Sequence, residues 1–461
     1  MDLILIAAPW IIGANVGFLC GCHKNACNGY KSVYAGVGGV LGYFAIVGLV
    51  QISIWSTRNL LHPYLVWTLW VGVCISTCIL CYCLARAYNS KKSIPLLLIL
   101  FVLTATLLTN LMQVVQLPIF AWDALSGEWN HPGYAARAQH LSAQYGHASI
   151  TGDGITHRHS ISNFVLLSWS GWISHGSSIH SPSMPWLLMQ MSCVLVVIGY
   201  GLIIMRSTIL ALLLGWMSAT VPLLENHALI GSYHEILMSA IQVGSCALVA
   251  VGFYKSSMSH IFFGAIMALL LLATKSTGSA YLITVWFALI CTIFLGYSKK
   301  AFIGFAGISL IGFVVLWHFG FDFKLGSQHI SWMPEERTVI FAGRSQQLVN
   351  LDLGLLFRHY FHALHINSSF TLAPLFLIIT LFLAKSPFTS HTLDQSRTFI
   401  LLVMFFGIAI FSLSLATEYG LMHSGPGTDR QYTRSLLPII STSFLFFPHA
   451  ISVINTRKSI S

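Results

Sequence analysis

Two carboxylates, Asp123 and Glu128, lie in the stretch Phe120-Ala-Trp-Asp-Ala-Leu-Ser-Gly-Glu-Trp-Asn-His131, with Trp122 and Trp129 beside them. Tryptophan favours the headgroup layer of a membrane. A carboxylate held at that depth can take a proton from a hydroxyl or bind a divalent ion. Asp123 is therefore the candidate general base, and Glu128 can assist it or bind metal. The competing account of Asp123 is a helix cap at the interface. A third carboxylate, Glu235, opens a later apolar segment. Acidic residues near a membrane core are costly and often face a cavity, which makes Glu235 a further catalytic candidate. Favourable charge at a helix N-terminus would explain it equally well.

Cations that can hold a phosphate lie elsewhere. Arg430 and Arg434 precede the last apolar segment, and Lys275 sits in a short turn. Arginine grips phosphate through paired donors. The alternative for the arginine pair is a salt bridge to Asp429 or Glu418. Histidine is abundant, with 20 residues. His157 and His159 form H-x-H, and with Asp123 they are the candidate ligands of a divalent metal, the one cofactor the residue types suggest. Tyr134, which opens the helix-forming stretch Tyr134–Tyr145, joins His157 and His159 as a candidate substrate-binding residue. His359, His362 and His365 drift around a helix and make a loose metal pattern.

These residues sit on a scaffold that composition describes plainly. Of 461 residues, 56% are hydrophobic and 8% charged. A soluble domain carries about 25% charged residues, so a water-soluble globule, a disordered chain and a nucleic-acid binder are excluded. Continuous apolar runs, rather than alternating ones, point to helices that satisfy their own backbone in lipid. The expected architecture is an all-α polytopic membrane protein of about thirteen spans. Their limits are 2–20, 33–55, 64–86, 95–119, 184–205, 208–223, 235–254, 257–274, 279–297, 301–318, 366–384, 398–416 and 435–453. Residues 1–119 form the N-terminal spans. The loop 120–183 is the catalytic segment, and 184–461 is a second bundle with outer loops at 319–365 and 417–434.

The excess of 23 Lys+Arg over 13 Asp+Glu sets the orientation. Lys24, Lys31, Arg86, Lys91, Lys92, Arg206, Lys255, Lys299, Lys300, Lys385, Arg397, Arg457 and Lys458 collect on one side, which is then cytoplasmic. The N-terminus is outside, the C-terminus is inside, and among the acidic residues only Asp394 falls inside. Function is expected on the outer face. None of the 10 cysteines lies in an outward loop, so an outer disulfide framework is not expected. Cys20, Cys22, His23 and Cys27 cluster at the first inner turn, either as a zinc set or as thiols filling a span end. Cys74, Cys78, Cys81 and Cys83 read as packing residues within one helix.

The order Trp122-Asp-Ala-Leu-Ser126, followed by Ala136-Arg-Ala-Gln-His-Leu141, resembles the first outer loop of GT-C class membrane glycosyltransferases, the mannosyltransferase and aminoarabinose-transferase-like superfamily. Gly231-Ser-Tyr-His-Glu235 resembles the G-Y-x-D that opens a later span there. Thr274-Lys-Ser-Thr-Gly278 resembles T-K-x-E-G without its Glu. Thr428-Asp-Arg430 with Ser435-Leu-Leu-Pro438 resembles the D-R…L-L-P entry to a late span. The chain departs from the family at Thr156-His-Arg-His-Ser-Ile-Ser162, where relatives carry H-P-x-Y-P. The likeness covers roughly 115–440.

That resemblance implies a sugar transferred from a polyprenyl-phosphate donor to a lipid-linked glycan, lipid or protein acceptor on the periplasmic face of a bacterial inner membrane. It also implies inversion at the sugar carbon, with Asp123 as the catalytic residue. The nearest alternative is an O-antigen polymerase or ligase. A transporter or flippase for a lipid-linked sugar is a reading of a different kind, and a metal-dependent oxidoreductase using the histidines is a third.

Overall fold

The computed structural model describes residues 2–21, 28–57, 63–87, 94–116, 184–221, 225, 228, 234–274, 278–297, 299–325, 328–341, 344–347, 354, 392–415 and 437–458. These are mostly helical. The helices are α1 (Asp2–Cys20), α2 (Asn28–Thr57), α3 (Pro63–Ala87), α4 (Ile94–Gln116), α5 (Met184–Met205), α6 (Thr208–Ala219), α7 (His234–Lys255), α8 (Met258–Ala268, extended by a 3-10 turn Leu269–Ala273), α9 (Gly278–Tyr297) and α10 (Lys299–Phe319). After four short strands come α11 (Thr392–Leu415), α12 (Leu437–Ser443) and α13 (Phe447–Lys458). Among the described residues, three helices meet both the length and the mean hydropathy of a membrane crossing, Met184–Met205, His234–Lys255 and Gly278–Gly296. That is the composition of a membrane protein. The expected span 366–384 lies outside the described residues.

One expectation needs correction. The chain is not all-α, because the segment read as outer loop 319–365 contains a four-stranded antiparallel sheet in the order β1-β2-β3-β4. Its strands are β1 (Phe321–Leu325), β2 (Gln328–Met333), β3 (Thr338–Phe341) and β4 (Arg344–Gln347). The physical reason is local. Phe321-Asp-Phe and Ile330-Ser-Trp332 alternate with polar residues at the period of a strand, not of a helix, and the β-favouring run Val339-Ile-Phe341 pairs with the second of them. Arg337 turns with φ of 50° between β2 and β3, just after the helix-disfavouring Pro334.

Close backbone approach, rather than a greasy seam, builds the first helix pair. A Cβ on Gly13 would strike the carbonyl of Gly38, and one on Gly17 the carbonyl of Tyr34. Small residues one turn apart let two apolar helices touch where lipid offers no hydrophobic drive to pack them. Polar ties add specificity. Trp10 Nε1 donates to Ser192 Oγ at 2.8 Å, Ser32 Oγ donates to the Leu195 carbonyl at 2.6 Å, and Asn15 Nδ2 donates to Ser76 Oγ at 3.1 Å. These bonds fasten α1 and α2 to α5, and α1 to α3.

Helix α7 is the axis of the core. Every residue from His234 to Phe253 is buried. It packs against α5, α8, α11 and α12. Gly264 of α8 lies close enough for Ser245 Oγ to donate to its carbonyl at 2.7 Å. On the opposite extreme, α10 shows Ile303, Ile308, Leu310, Ile311, Phe313 and Phe319 to the surroundings. A helix apolar all round is stable only in an apolar medium or a core. Cys74, Cys78 and Cys81 are exposed on α3, so they do not pack within the described bundle, contrary to the expectation from their helical spacing.

Candidate functional site: a buried polar face on the central helix

Of the residues singled out for chemistry, the structure describes Glu235. Asp123, Glu128, Tyr134, His157, His159, Lys275, Arg430 and Arg434 lie outside the described residues, as do Cys22, His23 and Cys27. The site is therefore built outward from Glu235.

Glu235 stands in the first turn of α7 and is 1% exposed. Burying a carboxylate away from water is costly unless something compensates it. Tyr281, in the first turn of α9, is buried and lies within electrostatic reach of Glu235. His234 is buried next to it in the chain. Lys275 lies outside the described residues, but the chain on either side of it is described. Thr274 is fully buried and its Oγ1 donates to the Leu271 carbonyl at 2.7 Å. Gly278 leaves no room for a Cβ against that same carbonyl. Chain connectivity thus joins the candidate phosphate-binding Lys275 to the helix that brings Tyr281 to Glu235.

Below Glu235 the same face of α7 remains polar. Ser239 and Gln242 follow at i+4 and i+7, the spacing that keeps side chains on one side of a helix. Both are fully buried. Ser239 Oγ donates back to the Glu235 carbonyl at 2.7 Å. Among the described residues, the Gln242 amide has a hydrogen-bond partner for neither its nitrogen nor its oxygen. Gln190 of α5 is also fully buried; its Nε2 donates to the Ala219 carbonyl at 2.8 Å while its Oε1 has no partner among the described residues. Buried amides are normally satisfied. The Gln242 amide on the central helix and the Gln190 oxygen on α5 are therefore exceptions to that rule among the described residues.

The face continues through Cys246 at i+11 to Phe253 at i+18. Phe253 packs against Phe399 of α11 with ring centroids 6.0 Å apart. Tyr200 of α5 lies within electrostatic reach of Cys246. Its hydroxyl meets Ser396 Oγ at 2.9 Å and His449 Nε2 at 2.6 Å. Three helices, α5, α11 and α13, are tied at that one hydroxyl. Nearby on α11, Arg397 is 3% exposed and pairs with Asp394 at 3.0 Å. The sequence reading placed Arg397 at a span end among the inner cations. It lies inside the second turn of α11 because that helix begins at Thr392, upstream of the expected limit.

Sequence reasoning missed Ser239, Gln242, Tyr281 and the Tyr200–Ser396–His449 group. The i, i+4, i+7 spacing of Glu235, Ser239 and Gln242 was a readable signal in an otherwise apolar segment. The long-range tie between Tyr200 and His449 was not, since nothing local links them. Among the described residues, no group of three or more His, Cys, Asp or Glu is gathered to hold a metal ion. The candidate ligand set Asp123, His157 and His159 lies outside those residues.

Compared with protein-family models, with curated proteins and with solved structures, the chain matches none.

Proposed function

We propose that the chain is an integral-membrane glycosyltransferase of GT-C type, with about thirteen spans and its active face outward in a bacterial inner membrane. The donor is a polyprenyl-phosphate sugar, and the acceptor is a lipid-linked glycan, a lipid or a protein. The observation that carries this reading is the buried Glu235. It occupies the place where the resembling motif sets an acid at the mouth of a span, and it is buried, within electrostatic reach of Tyr281, rather than solvated. The ordered motifs from Trp122-Asp-Ala to Ser435-Leu-Leu-Pro supply the rest.

In the proposed reaction Asp123 accepts the proton of the acceptor hydroxyl. The hydroxyl oxygen forms a bond to the anomeric carbon as the bond from that carbon to the phosphate oxygen breaks. The electron pair leaves with the polyprenyl phosphate, and the configuration inverts. Arg430, Arg434 and Lys275 meet the phosphate charge, and preorganised cations of this kind act where charge develops. Glu128, Tyr134, His157 and His159 hold the sugar or the acceptor, and a divalent ion at Asp123, His157 and His159 is an added option. Glu235 with Tyr281 orients the reacting groups from the bundle side.

A second reading is a transporter or flippase for a lipid-linked sugar. The polar groups buried toward the other end of α7, around Tyr200, Ser396 and His449, favour it, because transporters place polar sites within the bundle.

Mass spectrometry of cell-surface glycolipids and glycans tests both readings. Cells with the intact chain, without it, and with Asp123→Asn or Glu235→Gln at equal membrane abundance are compared. Loss of one sugar unit in the deletion and in Asp123→Asn is the expected result. An unchanged surface in all strains overturns the transferase. Accumulation of an intact lipid-linked sugar inside the cell, with Asp123→Asn behaving normally, favours the transporter.

A further inference from the structure

The sheet is attached to the membrane end of α10 in a way that fixes its depth. Helix α10 has 21 residues. At 1.5 Å per residue that is about 30 Å, the thickness of a hydrocarbon core. Lys299 and Lys300 start it, and Trp317 lies in its last turn, which are the residue types that favour the two interfaces. Its side chains between those ends are exposed and apolar, with Ile308 at 73% and Ile311 at 66%. Lipid is the medium that makes such a surface stable.

The chain then reverses without leaving that depth. Gly320 has φ of 76°, which a side chain would strain, and a Cβ there would lie 2.5 Å from the Trp332 carbonyl. Trp332 of β2 stacks on Trp317 at 4.6 Å, and its Nε1 donates to the Trp317 carbonyl at 2.7 Å. Phe313 stacks on Trp317 at 5.8 Å. The second strand is thus pinned to the last turn of the helix, and the sheet cannot lift away as a free loop could.

The register divides the sheet into two unlike faces. Phe321 pairs with Trp332 and Trp332 with Val339, so these share one face, on which Phe323, Ile330 and Phe341 also fall. Asp322, Ser331 and Ser345 fall on the other, with Ile340. On the apolar face the β1 edge is uncovered. Phe319 is 77% exposed, Phe321 37% and Phe323 56%. This aromatic run follows α10 directly in the chain, since exposed Phe319 is the last residue of that helix and only Gly320 separates it from β1.

We propose that Phe319, Phe321 and Phe323 insert into the lipid leaflet at this end of α10, so that the sheet is an interfacial clamp and not a solvated loop. The occupant of the face is membrane phospholipid. The argument is continuity: uncovered apolar residues run along the chain from the helix, which needs lipid, onto a strand held at its terminus. An amphipathic element at an interface buries its apolar side at the boundary of headgroups and chains. The inference rests on the chain being a membrane protein and is independent of any transferase activity.

The test is photocrosslinking in native membranes. The full chain carries p-benzoylphenylalanine at position 321 or 323, an aromatic-for-aromatic change that keeps the strand, or at exposed Ser345 or Gln347 on the other face. Mass spectrometry then identifies the adducts. Phospholipid adducts at 321 and 323, severalfold above those at 345 and 347, are expected. Adducts to another segment of this chain or to a second copy, without lipid, overturn the proposal. So does equal, weak lipid labelling at all four positions. The same measurement on the Asp123→Asn chain gives the same adducts, so failure of the transferase reading leaves this outcome readable.

Discussion

At the scale of single residues, Glu235 and Gln242 ask opposite things of the same helix face. Glu235 is a buried acid within electrostatic reach of Tyr281. If it serves the reaction, Glu235→Gln keeps shape and hydrogen-bonding capacity but loses the negative charge. Transfer in membranes is then expected to fall about 10²-fold, with abundance unchanged. A fall in abundance without loss of specific activity would make Glu235 a folding residue. Gln242 is buried with both ends of its amide unused. An unsatisfied buried amide costs about 1–3 kcal/mol, so Gln242→Leu is expected to raise the thermal unfolding temperature in detergent. A rise in stability with a loss of activity would mean the amide is kept for function, the usual form of that trade-off. A stability loss would show that Gln242 finds a partner in the bilayer. Glu235 was legible in the sequence because an acid at the mouth of an apolar segment stands out. Gln242 was not singled out, since an isolated amide among apolar residues gives no sign of whether its partners exist.

At the scale of elements, two contacts decide how helices meet. The α1–α2 pair depends on absent side chains at Gly13 and Gly17, where a Cβ would strike backbone carbonyls. Backbone cannot rotate aside as a side chain does. Gly13→Val is therefore expected to cost at least about 3 kcal/mol, the upper range of overpacking, and to lower membrane abundance. Gly307→Ala and Gly312→Ala on α10 meet nothing within 4 Å. They should be neutral or slightly stabilising, because alanine is the better helix former. Comparing melting temperatures of these variants checks both statements. The Tyr200 hydroxyl joins α5 to α11 and α13 through Ser396 and His449. Tyr200→Phe should cost about 1–3 kcal/mol by leaving two buried partners short. His449→Phe should cost less, since Tyr200 keeps Ser396. In the double variant the two costs should be non-additive by at least about 0.5 kcal/mol, and full additivity would deny the contact. The helix limits were mostly legible: Met184–Met205 coincides with the segment expected from hydropathy. The sheet at 321–347 was not, because only Phe321-Asp-Phe and Ile330-Ser-Trp332 alternate, while Val339-Ile-Phe341 is continuously apolar and Arg344–Gln347 continuously polar.

At the scale of the whole molecule, charge and burial pull in directions that can be compared. The cations that set the expected orientation include Lys255 at the end of α7 and Lys299 and Lys300 at the start of α10. Helices α7 and α9 begin at the expected outer ends, with Glu235 and Tyr281 in their first turns. If the lysines face the cytoplasm, Glu235, Tyr281 and the sheet lie on the other side. The proposed chemistry depends on that sidedness, because a lipid-linked donor used outside must meet its acids outside. The prediction is that a reporter active only in the cytoplasm works when fused after Ser461. A single protease site placed at residues 342–343, between β3 and β4 in the chain, should be cut from the periplasm in spheroplasts. Cleavage only after the membrane is broken would turn the molecule over. It would place Glu235 on the cytoplasmic side, leave the lipid clamp intact because that depends on depth and not on side, and remove the ground for an outward transferase. The two inferences therefore separate at this scale, one resting on orientation and the other on the apolar continuity of α10 with β1.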